Sequence, residues 1–283
     1  MDVSASRRNQ TTGHYQGSRK QTVSLAVNHP PPHLFDRWPQ VEPRLASAKQ
    51  WILFLDFDGT LVPIDSHPAV VKLGLSLRQT LRQLASHRGV TLYVISGRPL
   101  PELKKLVPVA GVRLLGLHGW SGSKQLSLAT DRSIFQNAKQ LIEQQLPRCP
   151  GLWLQDKGLG LAIHFRGATA SALRSGRQVV IGVLESFKPQ LRLLEGKGIW
   201  ELLPHQIDGK GPAVHALLAK SSNPVLPIFV GDDTSDESAF AVVRGGLSIH
   251  VGRGHRTKAR FRLRNPAEVA QFLKRLEAMR SCR

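Results

Sequence analysis

Two acidic clusters, each closing a short apolar run, constrain this chain more than any other feature. Trp51 to Phe57 is a compact apolar stretch that runs into Asp56-Phe57-Asp58-Gly59-Thr60. Far downstream, Pro224 to Val230 is a second apolar run, ending in Gly231-Asp232-Asp233-Thr234-Ser235-Asp236-Glu237. Runs of this length that carry no polar alternation read as strands buried on both faces. Between them, Val90 to Ile95 and Val112 to Leu117 read as further strands. Leu73, Leu77, Leu81 and Leu84 fall at helical spacing, and Leu100 to Leu106 reads as a helix with proline near its start. Strands alternating with helices predict an α/β fold, a doubly wound and mainly parallel sheet covered on both faces. Such sheets bind ligands at the carboxyl ends of their strands, where both acidic clusters fall.

The pattern changes near Trp120. A helix over about Arg132 to Leu146, strands near 151–155 and 159–165, a helix over about 168–184, and strands around Gly196-Lys197-Gly198 predict an inserted α/β cap with an antiparallel sheet. The expected division is a catalytic core at 49–121 and 205–283, a cap at 122–204, and a flexible basic N-terminal tail at 1–48, with a short anchored helix near 42–49. A cap inserted between the motifs of an open sheet is placed to cover a cleft and exclude water.

Composition narrows the function classes. The chain has 283 residues and a formal net charge of +19, with a pI near 10.9. That balance favours anionic partners, either a small phosphorylated substrate or nucleic acid. The chain lacks finger spacing and interleaved aromatics, so specific nucleic-acid binding is not expected. Lys258, Arg260, Arg262 and Arg264 alternate with Ala259, Phe261 and Leu263, which reads as a final strand with one wet basic face. No apolar stretch is long enough to span a bilayer and no leader-like segment opens the chain. Cys149 and Cys282 form no framework. A cytoplasmic protein with no membrane association is the expectation.

The candidate chemistry is phosphate-ester hydrolysis. Asp56 is placed to attack phosphorus, with Asp58 to protonate the leaving alkoxide and later activate water. Gly59 permits the turn between them, and the Thr60 hydroxyl and local N–H groups can hold phosphate oxygens. Asp56 and Asp232 supply carboxylates for a hard cation, Mg²⁺ by ligand chemistry. Asp58 joins them through its backbone carbonyl, Asp233 as a further ligand, and Asp236 orients coordinated waters. The Ser96-Gly97 turn closes another strand and can donate to phosphate, and Arg98 can meet substrate charge. Lys210, between two glycines, can neutralise both the nucleophile and the phosphate.

These four signatures resemble the phosphatases of the haloacid dehalogenase superfamily. More narrowly, the chain resembles the trehalose-6-phosphate phosphatase family from about Ile52 to Leu276. That likeness rests on Ser96-Gly97-Arg98-Pro99, Gly116-Leu117-His118-Gly119, the stretch from Gln155 to Arg166, and Glu195 to Pro204. It implies a mobile cap, cleavage of trehalose 6-phosphate, and substrate contacts from His118, Gly119, Lys157, His164, Arg166, Lys197 and Glu201. Gln155, Ser235 and Leu203 depart from the family's usual acidic residue, Thr and Arg. The first and last of these bear on sugar contacts, which keeps sucrose phosphate and other sugar phosphates as alternatives. A retired phosphatase fold that binds nucleic acid is the non-enzyme alternative.

Overall fold

In a computed structural model, residues 30–64, 71–122, 131–253 and 256–281 are described. The core is a six-stranded sheet made of β1 (Trp51–Leu55), β2 (Val90–Ile95), β3 (Arg113–Leu115), β8 (Leu226–Gly231), β9 (Leu247–Val251) and β10 (Phe261–Leu263). The strands lie in the order β10-β9-β8-β1-β2-β3, and every pairing is parallel. The middle strand β1 pairs with β2 on one side and β8 on the other. The strand order therefore reverses at β1, and the carboxyl ends of β1 and β8 flank a switch point.

Why the apolar runs carry no alternation is visible in the packing. Trp51, Leu53 and Leu55 enter the hydrophobic layer on one face of the sheet, while Ile52 and Phe54 enter the layer on the other. The first layer is covered by α1 (Trp38–Ser47), α2 (Leu75–Ser86), α3 (Leu100–Leu106) and α8 (Pro266–Ser281). The second is covered by α6 (Gly211–Leu218) and α7 (Glu237–Val242). A strand covered on both faces has no solvent side on which to place polar residues.

The cap contains α4 (Arg132–Gln145), β4 (Trp153–Asp156), β5 (Leu161–His164), α5 (Ala170–Ser186), β6 (Leu191–Gly196) and β7 (Ile199–Pro204). Its four strands form an antiparallel sheet in the order β4-β5-β7-β6. Leu161, Ile163, Trp200 and Leu202 pack against Phe135, Ile142 and Val180 of α4 and α5. Because side chains alternate along a strand, Ala162, His164 and Glu201 face the opposite way. That face looks onto the core.

Two expectations change. Residues 33–47 are part of the core rather than of a loose tail: Leu34, Val41 and Leu45 are buried, His33 bonds Glu268 at 2.7 Å, and the Trp51 indole N–H donates to the Leu45 carbonyl at 3.1 Å. Only residues 1–29 of that segment lie outside the described residues. The basic stretch near the C-terminus alternates as read, with Ala259, Phe261 and Leu263 buried, but only 261–263 is strand. Its arginines are engaged locally. Arg262 donates to the Pro31 carbonyl, Arg260 to that of Gly246, and Arg264 pairs with Glu268.

Because α1 closes the core, Leu45→Ala is expected to destabilise the protein by about 2–5 kcal/mol, the range for emptying a buried leucine site. Urea unfolding measures it. A change within about 0.5 kcal/mol would return this helix to the surface.

Candidate active site

Asp56 follows β1 directly, and its N–H donates to the Val230 carbonyl of β8 at 2.9 Å. The ladder thus brings the two acidic motifs side by side. Carboxylate oxygens of Asp56, Asp232 and Asp236 all lie within 4.8 Å of one another, and all three residues are buried. The turn after Asp56 depends on Gly59, whose φ is +81°; a Cβ there would sit 2.3 Å from Asp232 Oδ2. Only glycine adopts this conformation easily and also clears the neighbouring carboxylate. Thr60 Oγ1 lies between the motifs, 3.4 Å from Asp56 Oδ2 and 3.5 Å from Asp232 Oδ1.

Lys210 opens α6 with its side chain almost fully buried. Its Nζ lies 2.5 Å from Asp56 Oδ1 and 2.7 Å from Asp236 Oδ1. Asp236 Oδ2 accepts from the N–H groups of both Asp232 and Asp233 at 2.9 Å. One carboxylate therefore shapes the acidic turn and anchors the lysine. Burial raises the Asp56 carboxyl well above its ordinary value; Asp236 and Asp232 add to this, and Lys210 opposes it. Asp232 is pushed up to about 6, chiefly by burial, with repulsion from Asp236 and Asp233 set against attraction from Lys197. Lys210 is raised despite its burial because two carboxylates face it. Against these three carboxylates stand the two ammonium groups of Lys210 and Lys197, which leaves an oxygen-rich site with a negative balance that a hard cation would satisfy.

Asp58 and Asp233 stand apart from that cluster. Asp58 is gripped by Arg98, with Nε and Nη2 each 2.7 Å from a carboxylate oxygen, and Arg98 is itself tied to Glu102. Asp233 Oδ1 accepts from the Lys197 N–H at 3.2 Å. Sequence reading put Asp236 behind Asp233; in the fold Asp236 belongs to the cluster. Ser96 Oγ accepts from the Arg98 N–H at 3.2 Å and lines the same cleft.

The cap meets the core through charge. Glu201 Oε2 lies 2.9 Å from His118 Nε2, and Glu201 Oε1 lies 2.6 Å from Lys157 Nζ. Lys157 also donates to the Gly97 carbonyl at 3.0 Å. Lys197 Nζ reaches Asp232 Oδ2 at 2.7 Å. Burial pushes the Glu201 carboxyl up, but Lys157 and His118 outweigh it and hold the group well below the usual carboxylate range. His118 sits in the left-handed region at φ +57°. That costs a residue with a side chain about 1–3 kcal/mol, and its N–H bond to the Ser96 carbonyl helps hold it there. Gly97 leaves room for this ring, since a Cβ would lie 2.9 Å from His118 Cε1. Gly119 instead packs against Ala213 of α6.

Lys157, His164, Arg166, Lys197 and Glu201 all line one cleft with Asp56, Asp58, Ser96 and Lys210. Arg166 donates to the Lys197 carbonyl. The sequence reading missed Trp153, which also lines this cleft. The signal was present: Trp153 and Gln155 share the strand period that puts side chains on the core-facing side of β4.

A parallel sheet with its acidic site at the switch point, roofed by an inserted cap, is the architecture of the haloacid dehalogenase-like hydrolases. A family model for trehalose-phosphatase matches residues 54–267. The chain is 32% identical over 243 residues to trehalose-6-phosphate phosphatase of Escherichia coli K12, covering 82% of this chain and 87% of that protein. It is 29% identical over 254 residues to trehalose-phosphate phosphatase B of Arabidopsis thaliana, covering 82% and 67%. The C-terminal domain of trehalose-6-phosphate phosphatase from C. albicans shares the fold, with a TM-score of 0.78 at 23% identity, over 88% of this chain and 99% of that one. The chain belongs to the trehalose-phosphatase family. Among the described residues, no helix is long and apolar enough to cross a membrane.

His164 provides a test of the cap's electrostatics. Burial first, then Lys157, Arg166 and Arg98, lower it to about 4, with Glu201 opposing. The imidazole is expected to stay neutral from pH 5 to 8 and to titrate near 4, read by NMR of its ring carbons. Between about 6.5 and 4 the unfolded chain binds more protons at this site, so its contribution to stability falls as pH drops through that window. Protonation near 6.5 in the folded chain would contradict the arrangement.

Proposed function

We propose that the chain hydrolyses trehalose 6-phosphate to trehalose and inorganic phosphate through an aspartyl-phosphate on Asp56. The observation that carries this reading is the placement of Asp56 between Lys210 and the Asp232–Asp236 carboxylates, at the floor of a cleft lined by cap cations.

Asp56 attacks phosphorus, forming the P–O bond to its carboxylate as the P–O bond to the sugar breaks. Lys210 offsets negative charge at the nucleophile and the transferring group. Asp58 gives a proton to the departing sugar oxygen. It then takes one from the water that attacks the phosphorylated Asp56, releasing phosphate and regenerating the free carboxylate. Both Asp58 oxygens accept from Arg98, so the acid role requires one of these bonds to open. A substrate phosphate drawing Arg98 toward itself would do this. Ser96 and Gly97 line the cleft beside the phosphoryl group, while Gly59 and Thr60, buried beneath it, shape the turn that presents Asp56. Lys157, Arg166 and Lys197 address the sugar and the phosphate from above, and His118, His164 and Glu201 address the sugar.

Asp56 and Asp232, with the backbone carbonyl of Asp58 and support from Asp233 and Asp236, would hold Mg²⁺. When bound, that ion withdraws charge from the phosphoryl oxygens. The oxygen-only donor set and its excess of negative charge fit such an ion.

Phosphate release by the purified chain tests the reading. Asp56→Asn is expected to reduce turnover to background. Asp58→Asn is expected to lower kcat about 10²–10⁴-fold, the usual worth of a general acid. A chelator should abolish activity and added Mg²⁺ restore it. Trehalose 6-phosphate should exceed sucrose 6-phosphate and monosaccharide phosphates in kcat/KM. Full turnover by Asp56→Asn would remove the nucleophile assignment, and preference for another sugar phosphate would reverse the substrate.

A further inference from the structure

Trp153 is a large apolar side chain left 44% exposed, and it is exposed into the active cleft rather than on an outer surface. It sits on β4, the edge strand of the cap sheet, directly opposite His164 on β5. The two rings are stacked, with centroids 3.8 Å apart and planes 8° from parallel. Gln155 Oε1 accepts from His164 Nε2 at 2.9 Å and fixes the imidazole against the indole. Each ring covers one face of the other, so the stack leaves the outer face of the Trp153 indole open, with the imidazole bracing it from behind. Across the cleft, the core contributes Ile64, another large apolar residue left 40% exposed.

Nothing in the phosphoryl chemistry uses this surface. Charged groups around it include Lys157 and Glu201 of the cap, but a stacked indole and a neutral imidazole offer no charge to a phosphate. A pyranose ring is what fits: one face of such a sugar presents C–H groups, and aromatic rings bury that face while its hydroxyls bond elsewhere. Lys157, Glu201 and Arg166 supply polar partners within the same cleft.

We propose that the outer face of the Trp153 indole, backed by His164, is the platform for the sugar ring that does not carry the phosphate, and that Trp153 sets the preference for a disaccharide phosphate over smaller phosphate esters. The inference rests on the substrate reading above and adds to it the residue that recognises the second ring. Binding energy gathered there acts far from the phosphorus and serves to orient the ester for attack. The platform belongs wholly to the cap and the phosphoryl site to the core, so a disaccharide phosphate that engages both also helps to hold the cap over the core.

Steady-state rates of the full chain with Mg²⁺ test this on trehalose 6-phosphate and p-nitrophenyl phosphate, for wild type, Trp153→Ala and Trp153→Phe. In Trp153→Ala the ratio of kcat/KM for the disaccharide to that for the aryl ester is expected to fall about tenfold or more, mainly through KM, with Trp153→Phe recovering most of it. A ratio unchanged in Trp153→Ala would overturn the proposal. So would equal loss on both substrates in a folded variant, because that marks a structural role. Intrinsic fluorescence gives a readout independent of turnover. Trehalose should perturb the wild-type signal, and Trp153→Phe should remove that response while the four other tryptophans remain, of the five in the chain. If wild type cleaves the aryl ester but not trehalose 6-phosphate, the substrate reading has failed. The same fluorescence titration with sucrose and maltose then decides the platform: a response lost in Trp153→Phe upholds it, and no response to any disaccharide ends it.

Discussion

The buried ammonium of Lys210 is the interaction on which the site depends. It lies between Asp56 and Asp236, all three shielded from solvent. Charges removed from water in this way are tolerated only when paired, and losing one partner of such a pair costs about 3–5 kcal/mol. Lys210 also joins three pieces of chain distant in sequence: the end of β1, the start of α6 and the turn after β8. The Asp236 carboxylate that receives it spends its other oxygen on the amides of Asp232 and Asp233. The shape of the acidic turn and the charge balance at the nucleophile are therefore one network. With Lys197 on Asp232, the network sets two ammonium groups against three carboxylates, and the remaining negative charge favours a cation beside Asp56 and Asp232.

Above this floor, the cap is held by long cationic side chains rather than by an apolar interface. Glu201 joins His118 and Lys157, and Lys197 reaches Asp232. Apolar packing in the cap is spent on its own helices. Contacts of this kind are directional, and anions can compete for them, which suits a lid that must exchange protein partners for substrate. The strongly basic composition finds part of its use here. Lys157, Arg166 and Lys197 all point into the cleft, and the basic residues near the C-terminus are occupied with carbonyls and Glu268.

Much of this was legible in the sequence because the physics is local. Strands buried on both faces must be continuously apolar, so β1, β2 and β8 announced themselves, and the acidic residues that end β1 and β8 marked the ligand edge of the sheet. The helix α1 was legible only in part, as a short anchored helix near 42–49 within a loose tail. Pro43 lies within it, and proline is a poor guide to a helix interior; its register is fixed by Leu34, Val41 and Leu45 meeting the core from a distance. The choice of Asp236 over Asp233 for the carboxylate cluster was also hidden, since it is decided by a single turn of 3₁₀ helix from Thr234 to Asp236 and its capping box. Trp153 was overlooked because an apolar residue on a short strand reads as core. Only the position of β4 at the sheet edge, above the cleft, gives it another role.

The parallel ladder between β1 and β8 has a consequence for how activity is acquired during folding. Antiparallel neighbours can close by a short turn, but these two strands can meet only after the chain has returned from the whole of the cap. The cap's own strands pair mostly with near neighbours in sequence, the kind of contact that forms early. A compact cap draws its two ends together and shortens the effective loop that β8 must close. Asp56 gains its Val230 partner and its facing carboxylates in that same closing event. A nascent chain that has not yet emitted β8 thus carries the attacking aspartate without the carboxylates that complete its site, and hydrolytic competence arrives together with the closed core.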